Sequence, residues 1–395
     1  MTDPAPAPAT TAVWGGEEDR RPGAPTQVPM VGSVSFGYRD MDDWTRVARG
    51  EAEGHIYGRN TNPTVAAFEE KVRLLEGAAA ATAFATGMAA IAGTFWTLLG
   101  PGKRVVSIRD TYGGTSVLLT QHLPRWGVEV VLCDTEDAAA LEAEMARGCD
   151  LLYLETPTNP TLKVLDLERL CAAGRGAGAS VVVDNTFATP VNQNPLALGA
   201  HLVIHSATKF LGGHADALGG IVCGDGERVE RIFRFREING ASLHPEAAYL
   251  LLRGMKTLAL RVARQNESAL RIARWLESAE GVEAVHYPGL VSHPAHDVAA
   301  RQMRGFGGVL SFALDGGMEA VERFLPALRW AHLAANLGAV ETVAGTPATT
   351  SHVECTAEER AVLGIPEGLI RYSVGIEDPN DLLADLEQAL RAARG

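Results

Sequence analysis

The stretch Val203-Ile204-His205-Ser206-Ala207-Thr208-Lys209-Phe210-Leu211-Gly212-Gly213-His214 joins a short apolar run to two hydroxyl residues, one lysine and a glycine pair. Apolar residues followed by small polar ones predict a buried strand that opens into a loop at its carboxyl end. A lysine placed there is a candidate nucleophile. Desolvation or a neighbouring cation lowers the pKa of its amine, and the neutral amine adds to an aldehyde to form a Schiff base. Ser206 and Thr208 flank it as hydroxyl ligands for a phosphate. Of the five lysines (Lys71, Lys103, Lys163, Lys209 and Lys256), only Lys209 follows a strand-like run among small polar residues.

Outward from this stretch, apolar runs recur at 104–108, 128–132, 150–154, 181–184, 202–205 and 220–223, several separated by helix-length segments. This alternation predicts an α/β fold with a mostly parallel central sheet and helices on both faces. Ligands of such sheets lie beyond the carboxyl ends of the strands. Glu155, Asp184 and the Ser206–Lys209 group each follow a run directly, so separate segments converge on one crevice. From about residue 247 the pattern changes to a long amphipathic helix reaching Ser278, then short strands near 282–286, 309–314 and 369–374. These predict a smaller C-terminal α+β domain, closed by a helix from Asn380 with Leu382, Leu383, Leu386 and Leu390 at helical spacing. The expected organisation is a flexible tail over 1–26, an arm over 27–60, a large domain over 61–246 and the C-terminal domain over 247–395.

The chain carries a net charge of -13 and has no long run of Lys or Arg, which argues against a nucleic-acid surface. Its apolar runs fall short of the ~20 residues that cross a bilayer, so no membrane association is expected. Small molecules are the expected partners. Five cysteines (Cys133, Cys149, Cys171, Cys223 and Cys355) are scattered and form no C-x-x-C pair. Neither a disulfide framework nor a zinc site follows, and a reducing cytoplasm fits. His205, His214 and His352, like His55 and His122, match no metal motif and are expected to be structural or supporting.

Asp184 ends the run Val181-Val182-Val183 and is placed to bond a pyridine nitrogen and keep it protonated. A protonated ring is an electron sink for a carbanion at a substrate α-carbon, and aldehyde, phosphate and pyridine together describe pyridoxal 5'-phosphate (PLP). A strand-end Asp that caps a turn is the competing reading. Gly87 and Met88, at the start of a small-residue helix, offer backbone amides to an anion, although such helix starts are common. Tyr112 follows the run at 104–108, where its ring can stack on a flat cofactor and its hydroxyl can move a proton; half-buried packing is the alternative. Arg371 can hold a substrate carboxylate by a bidentate fork, against the ordinary alternative of a surface ion pair.

Eight landmarks run in register from about Val28 to near the C-terminus. They are Tyr-Gly-Arg-Asn-Thr-Asn-Pro-Thr at 57–64, Gly-Met at 87–88, Tyr-Gly-Gly at 112–114 and Glu-Thr-Pro-Thr-Asn-Pro at 155–160. The others are Val-Asp-Asn-Thr at 183–186, Ser-Ala-Thr-Lys at 206–209, Leu-Arg-Gly-Met-Lys-Thr-Leu at 252–258 and Arg-Tyr-Ser-Val-Gly-Ile-Glu at 371–377. With them the chain resembles the PLP-dependent enzymes of cysteine and methionine metabolism: cystathionine γ-synthase, cystathionine γ-lyase, methionine γ-lyase and the homoserine-ester sulfhydrylases. The resemblance implies the type I, aspartate-aminotransferase-like fold and a homotetramer of two tight dimers with shared active sites. Tyr57 and Arg59, on the arm, would reach the neighbouring subunit's phosphate. Asn159 would lie near the cofactor hydroxyl, and Glu155, Asn336 and Arg371 would meet the substrate.

The implied mechanism has the substrate amine displace Lys209, which then moves the α-proton, while Tyr112 helps activate the amine and protonates the departing sulfur. Water then gives a 2-oxo acid and ammonia; capture by a thiol gives a replacement product. Ala335 stands where cystathionine-handling relatives carry Glu and favours methionine-like substrates. Asn336 looks more like the sulfhydrylases, Gly114 replaces a reactive Cys of many methionine γ-lyases, and 292–308 is similar to the lyase and γ-synthase branch. The expected activity is γ-elimination on a sulfur amino acid, nearest to methionine γ-lyase, with γ-replacement on an O-acyl-homoserine as the alternative. A catalytically inactive binding or regulatory protein is the remaining alternative, disfavoured because Lys209, Asp184, Tyr112 and Arg371 are all present.

Overall fold

A computed structural model describes residues 6–17, 21–350, 353 and 356–395; His352 and Cys355 lie outside the described residues. Seven strands form the central sheet: β1 (Ala80–Phe84), β2 (Arg104–Ile108), β3 (Glu129–Cys133), β4 (Leu151–Glu155), β5 (Ser180–Asp184), β6 (Leu202–Ser206) and β7 (Gly220–Gly224). Their spatial order is β1-β7-β6-β5-β4-β2-β3. The run from β6 to β3 is parallel throughout, and β7 is antiparallel to both of its neighbours. Strands β4 and β5 are buried along almost their whole length, as continuous apolar runs demand when helices cover both faces. Phe95, Tyr153, Val182 and Ile204 pack on one face, and Leu152, Leu154, Val181 and Val183 on the other.

Parallel pairing fixes what lies at the carboxyl edge. Glu155 and Asp184 are register partners at the ends of β4 and β5, and Ser206 ends β6 beside Gly220 of β7. Three chemistry-bearing residues therefore reach one edge without any special loop.

A second sheet of five strands, β10-β11-β12-β9-β8, makes the smaller domain. Here β8 is Val282–His286, β9 Val309–Leu314, β10 His332–Leu333, β11 Val343–Gly345 and β12 Leu369–Ser373. The helix Pro379–Arg394 lays Leu382, Leu386 and Leu390 against its core, while Leu383 is only partly covered. Among the described residues no helix is long and apolar enough to cross a membrane.

Three features differ from the sequence reading. The helix expected from 247 to Ser278 is two helices, Pro245–Met255 and Leu258–Leu276. The buried Arg261 guanidinium donates to the carbonyls of Gly254, Phe210 and Leu211 at 3.0, 2.8 and 3.2 Å, which turns the chain there and pins the residues that follow Lys209. The two cores also meet within Leu258–Leu276: Leu258 and Val262 join the large-domain core, Ile272 and Leu276 the smaller one.

The third difference is at the N-terminus, where Pro8–Trp14 forms a docked helix rather than a flexible tail. Ala12 is buried against the large domain. The ammonium of Lys71, itself fully buried, donates to the carbonyls of Ala12 and Val13 at 2.9 and 3.2 Å and pairs with Glu17 at 2.5 Å. Cations at a helix carboxyl end meet its free carbonyls, which explains the docking.

Candidate active site

At the carboxyl edge of the large sheet lies a cavity of about 240 Å³. It brings together Gly87, Met88, Tyr112, Glu155, Asn159, Asp184, Ser206, Thr208, Lys209 and Arg371, ten of the residues singled out in the sequence. Tyr57 and Arg59 are not among its lining residues. Tyr57 is 42% exposed, and the Arg59 guanidinium lies 5.5 Å from its ring centre while donating to the Glu237 carbonyl.

Lys209 leaves the loop after β6, and its Nζ donates to Oδ1 of Asn336 at 2.8 Å. Burial, and secondarily the Arg371 charge, lower its pKa to about 8, so about a tenth of the amine is neutral at pH 7, far more than for a solvated lysine. Arg371, on β12, donates through Nη1 to Oδ1 of Asn159 at 3.1 Å and through Nη2 to the Asn336 carbonyl at 3.0 Å. Burial lowers its pKa to about 10, yet it stays charged at neutral pH. Asn336, expected at the substrate, thus contacts both cations, and its neighbour Ala335 lines the cavity.

Two buried carboxyls sit side by side. Asp184 accepts from the Thr186 amide at 3.0 Å and from the Tyr153 hydroxyl at 3.4 Å. Glu155, also expected to touch substrate, lines the cavity and accepts the amide of Tyr112 at 2.8 Å and that of Asn159. Burial raises the pKa of both, and for Glu155 the Asp184 charge adds to it. Among the described residues neither carboxyl forms a salt bridge, although the charge of the buried His205 works against burial at Asp184. A pair of this kind favours a bound cation.

The opposite end of the cavity is built for an anion. Thr86 caps the helix Gly87–Leu98 by accepting the Ala89 amide at 3.0 Å, leaving first-turn amides free of intrahelical partners. A Cβ on Gly87 would lie 2.7 Å from Cβ of Ser206, so only glycine lets this turn approach that residue so closely. The Thr208 hydroxyl meanwhile exchanges hydrogen bonds with the amide and carbonyl of Gly219, at 3.1 and 3.2 Å.

Residues missed in the sequence complete the walls: Thr86, Ile91, Thr186, Phe187, Leu218, Leu337 and Thr350. Thr186 was within reach of the motif Val-Asp-Asn-Thr, since its hydroxyl accepts the Ser206 amide at 2.9 Å. Leu218, Leu337 and Thr350 come from loops with no local signal.

Fold and site define a PLP-dependent enzyme of fold type I. The sequence profile described as Cys/Met metabolism PLP-dependent enzyme matches residues 9–391. L-methionine gamma-lyase of Pseudomonas putida is 42% identical over 390 residues, 98% of each chain. O-succinylhomoserine sulfhydrylase of Pseudomonas aeruginosa is 40% identical over 383 residues, 97% of this chain and 95% of that one. The crystal structure of cystathionine gamma synthase from Xanthomonas oryzae pv. oryzae, in complex with aminoacrylate and cysteine, superposes with a TM-score of 0.93 at 37% identity, covering 98% of this chain and 99% of that one. The chain belongs to the Cys/Met metabolism PLP-dependent enzyme family. Its residues fit the cofactor: paired carboxyls without a salt bridge for a pyridinium, amides and hydroxyls for a phosphate, and in the same cavity a low-pKa lysine for an aldehyde.

Proposed function

We propose that the protein is a carbon–sulfur lyase that performs γ-elimination on a methionine-like thioether amino acid, giving 2-oxobutyrate, ammonia and a thiol. The observation that carries this reading is the charge inventory of the cavity. Among the described residues, the charged ones that line it are Glu155, Asp184, Lys209 and Arg371, and each already has a task. The remaining wall around Phe187, Leu218, Ala335 and Leu337 is apolar and suits an S-alkyl group. Against that wall an acyl carboxylate would be desolvated with no cationic partner left over among the described residues.

When bound, PLP supplies an electron sink for the pair left at the substrate α-carbon. Asp184 would hold the pyridine nitrogen, Ser206, Thr208 and the amides of Gly87 and Met88 would hold the phosphate, and Asn159 would meet the ring hydroxyl. Glu155 acts as a strut for Tyr112 and Asn159. Arg371 grips the α-carboxylate and so turns the α-hydrogen toward Lys209. Lys209 takes that proton as a neutral amine and carries a second at the β-carbon. Tyr112, 44% exposed at the cavity mouth, protonates the departing sulfur.

The exposed Tyr57 and Arg59 serve the phosphate of a neighbouring subunit in a homotetramer of shared sites. The four described cysteines are buried and free, which supports a cytoplasmic setting. One observation favours γ-replacement on an O-acyl-homoserine as the second reading: Asn336, a sulfhydrylase-like residue, contacts Lys209 directly. Incubation with L-methionine, L-cystathionine, and O-acetyl- and O-succinyl-homoserine, each with and without a thiol, separates the two. The lyase forms 2-oxobutyrate from L-methionine alone; a thioether formed only from the ester plus thiol overturns this reading.

A further inference from the structure

Residues 156–165 link β4 to the next helix without regular structure, yet all but Lys163 are buried. This segment carries Asn159, whose amide oxygen occupies one nitrogen of Arg371. With Nη1 on Asn159 and Nη2 on the Asn336 carbonyl, the guanidinium plane is fixed and its remaining N–H groups present one edge to a carboxylate. What aims Asn159 is therefore part of what aims Arg371.

Ser311 on β9 is the direct register partner of Arg371 on β12 and is fully buried. Its hydroxyl donates at 2.7 Å to the carbonyl of Pro160, the residue after Asn159. A second tie lies two residues on, where Nε2 of His293 meets the Leu162 carbonyl at 3.1 Å. Nδ1 of His293 accepts the Ala295 amide at 3.2 Å, so Nε2 bears the proton and donates. One strand pair of the smaller domain thus grips the large-domain segment at consecutive residues, through Arg371 on Asn159 and Ser311 on Pro160.

We propose that Ser311 is a positioning residue for recognition of the substrate α-carboxylate, acting through Pro160 and Asn159 on Arg371. The inference rests on Arg371 as the carboxylate grip and is independent of which γ-substituent leaves.

The test uses the cofactor-loaded enzyme and glycine, which presents an α-amine and α-carboxylate but no γ-group, with binding followed by the change in cofactor absorption. Ser311→Ala is expected to weaken glycine binding about three- to tenfold, the range for one neutral hydrogen bond. For the substrate that turns over, KM rises by a similar factor while kcat stays within about twofold. In an Asn159→Ala background the same change should add less than about twofold, because the two residues act in series. Independent multiplication of the two effects, or a fall in kcat with unchanged KM and glycine affinity, overturns the proposal. Should Ser311→Ala fail to fold, Ser311→Cys, with similar size and a weak donor, is measured against the same outcomes. A weakened glycine affinity in a protein that does not cleave methionine would contradict the lyase reading and leave this one standing.

Discussion

The side-chain oxygen of Asn336 accepts a hydrogen bond from Nζ of Lys209 at 2.8 Å, while its main-chain oxygen accepts from Nη2 of Arg371 at 3.0 Å. One residue thus addresses the proton-carrying amine with its side chain and the carboxylate grip with its backbone. Asn336→Ala removes only the first contact. A hydrogen bond to a charged group is worth about 1.5–3 kcal/mol, so kcat should fall about ten- to hundredfold with KM changed less than about threefold. Steady-state kinetics read both constants, and a rise in KM at constant kcat would show that the side chain serves binding.

The amine of Lys209 adds to an aldehyde only when neutral. Its pKa of about 8 sets the sign: covalent capture of PLP by apoprotein should accelerate about tenfold per pH unit below 8 and level off above it. Stopped-flow absorption after mixing gives the profile. A midpoint above pH 10 would mean that the amine is as solvated as an ordinary lysine.

Asp184 and Glu155 both have raised pKa values in the folded chain, so between the ordinary carboxyl range and those raised values the folded state binds more protons than the unfolded. Their contribution is present at low pH and lost as pH rises through the raised values. Asp184→Asn should therefore raise the melting temperature of the apoprotein at pH 7 while weakening PLP. Leaving a buried cation unpaired costs about 3–5 kcal/mol, or at least about a hundredfold in cofactor affinity. Calorimetry of the apoprotein and a cofactor titration check the two halves, and a variant that loses apoprotein stability contradicts the charge argument.

The central strands were legible because Val-Val-Val-Asp and its counterparts are apolar on both faces, and parallel pairing then placed Glu155, Asp184 and Ser206 together. Strand β1, Ala-Ala-Thr-Ala-Phe, was not legible. Alanine has little strand preference of its own, and β1 forms because β7 offers its edge. The break before Leu258 was hidden for a similar reason, since its cause is a guanidinium reaching three distant carbonyls. Asn336 was read as a substrate contact; its hydrogen bond with Lys209, 127 residues away in the chain, shows only in the fold.

Deleting residues 1–17 should destabilise the protein, because the docked helix and Glu17 are what satisfy the buried ammonium of Lys71. Breaking such a pair costs about 3–5 kcal/mol, and the chain should melt several degrees lower. Lys71→Met in the full chain should lose stability too, since it leaves the Ala12 and Val13 carbonyls without their donor and Glu17 with Lys256 alone. An unchanged melting temperature after truncation would restore the picture of a loose tail.

The measurement that bears most directly on the whole account is the formation of 2-oxobutyrate from L-methionine by the PLP-loaded enzyme with no thiol added, beside a Lys209→Ala control. Stoichiometric 2-oxobutyrate, ammonia and volatile thiol, abolished in the control, are expected. No oxobutyrate from L-methionine, with thioether formed from an O-acyl-homoserine and a thiol, would contradict γ-elimination as the function of this site.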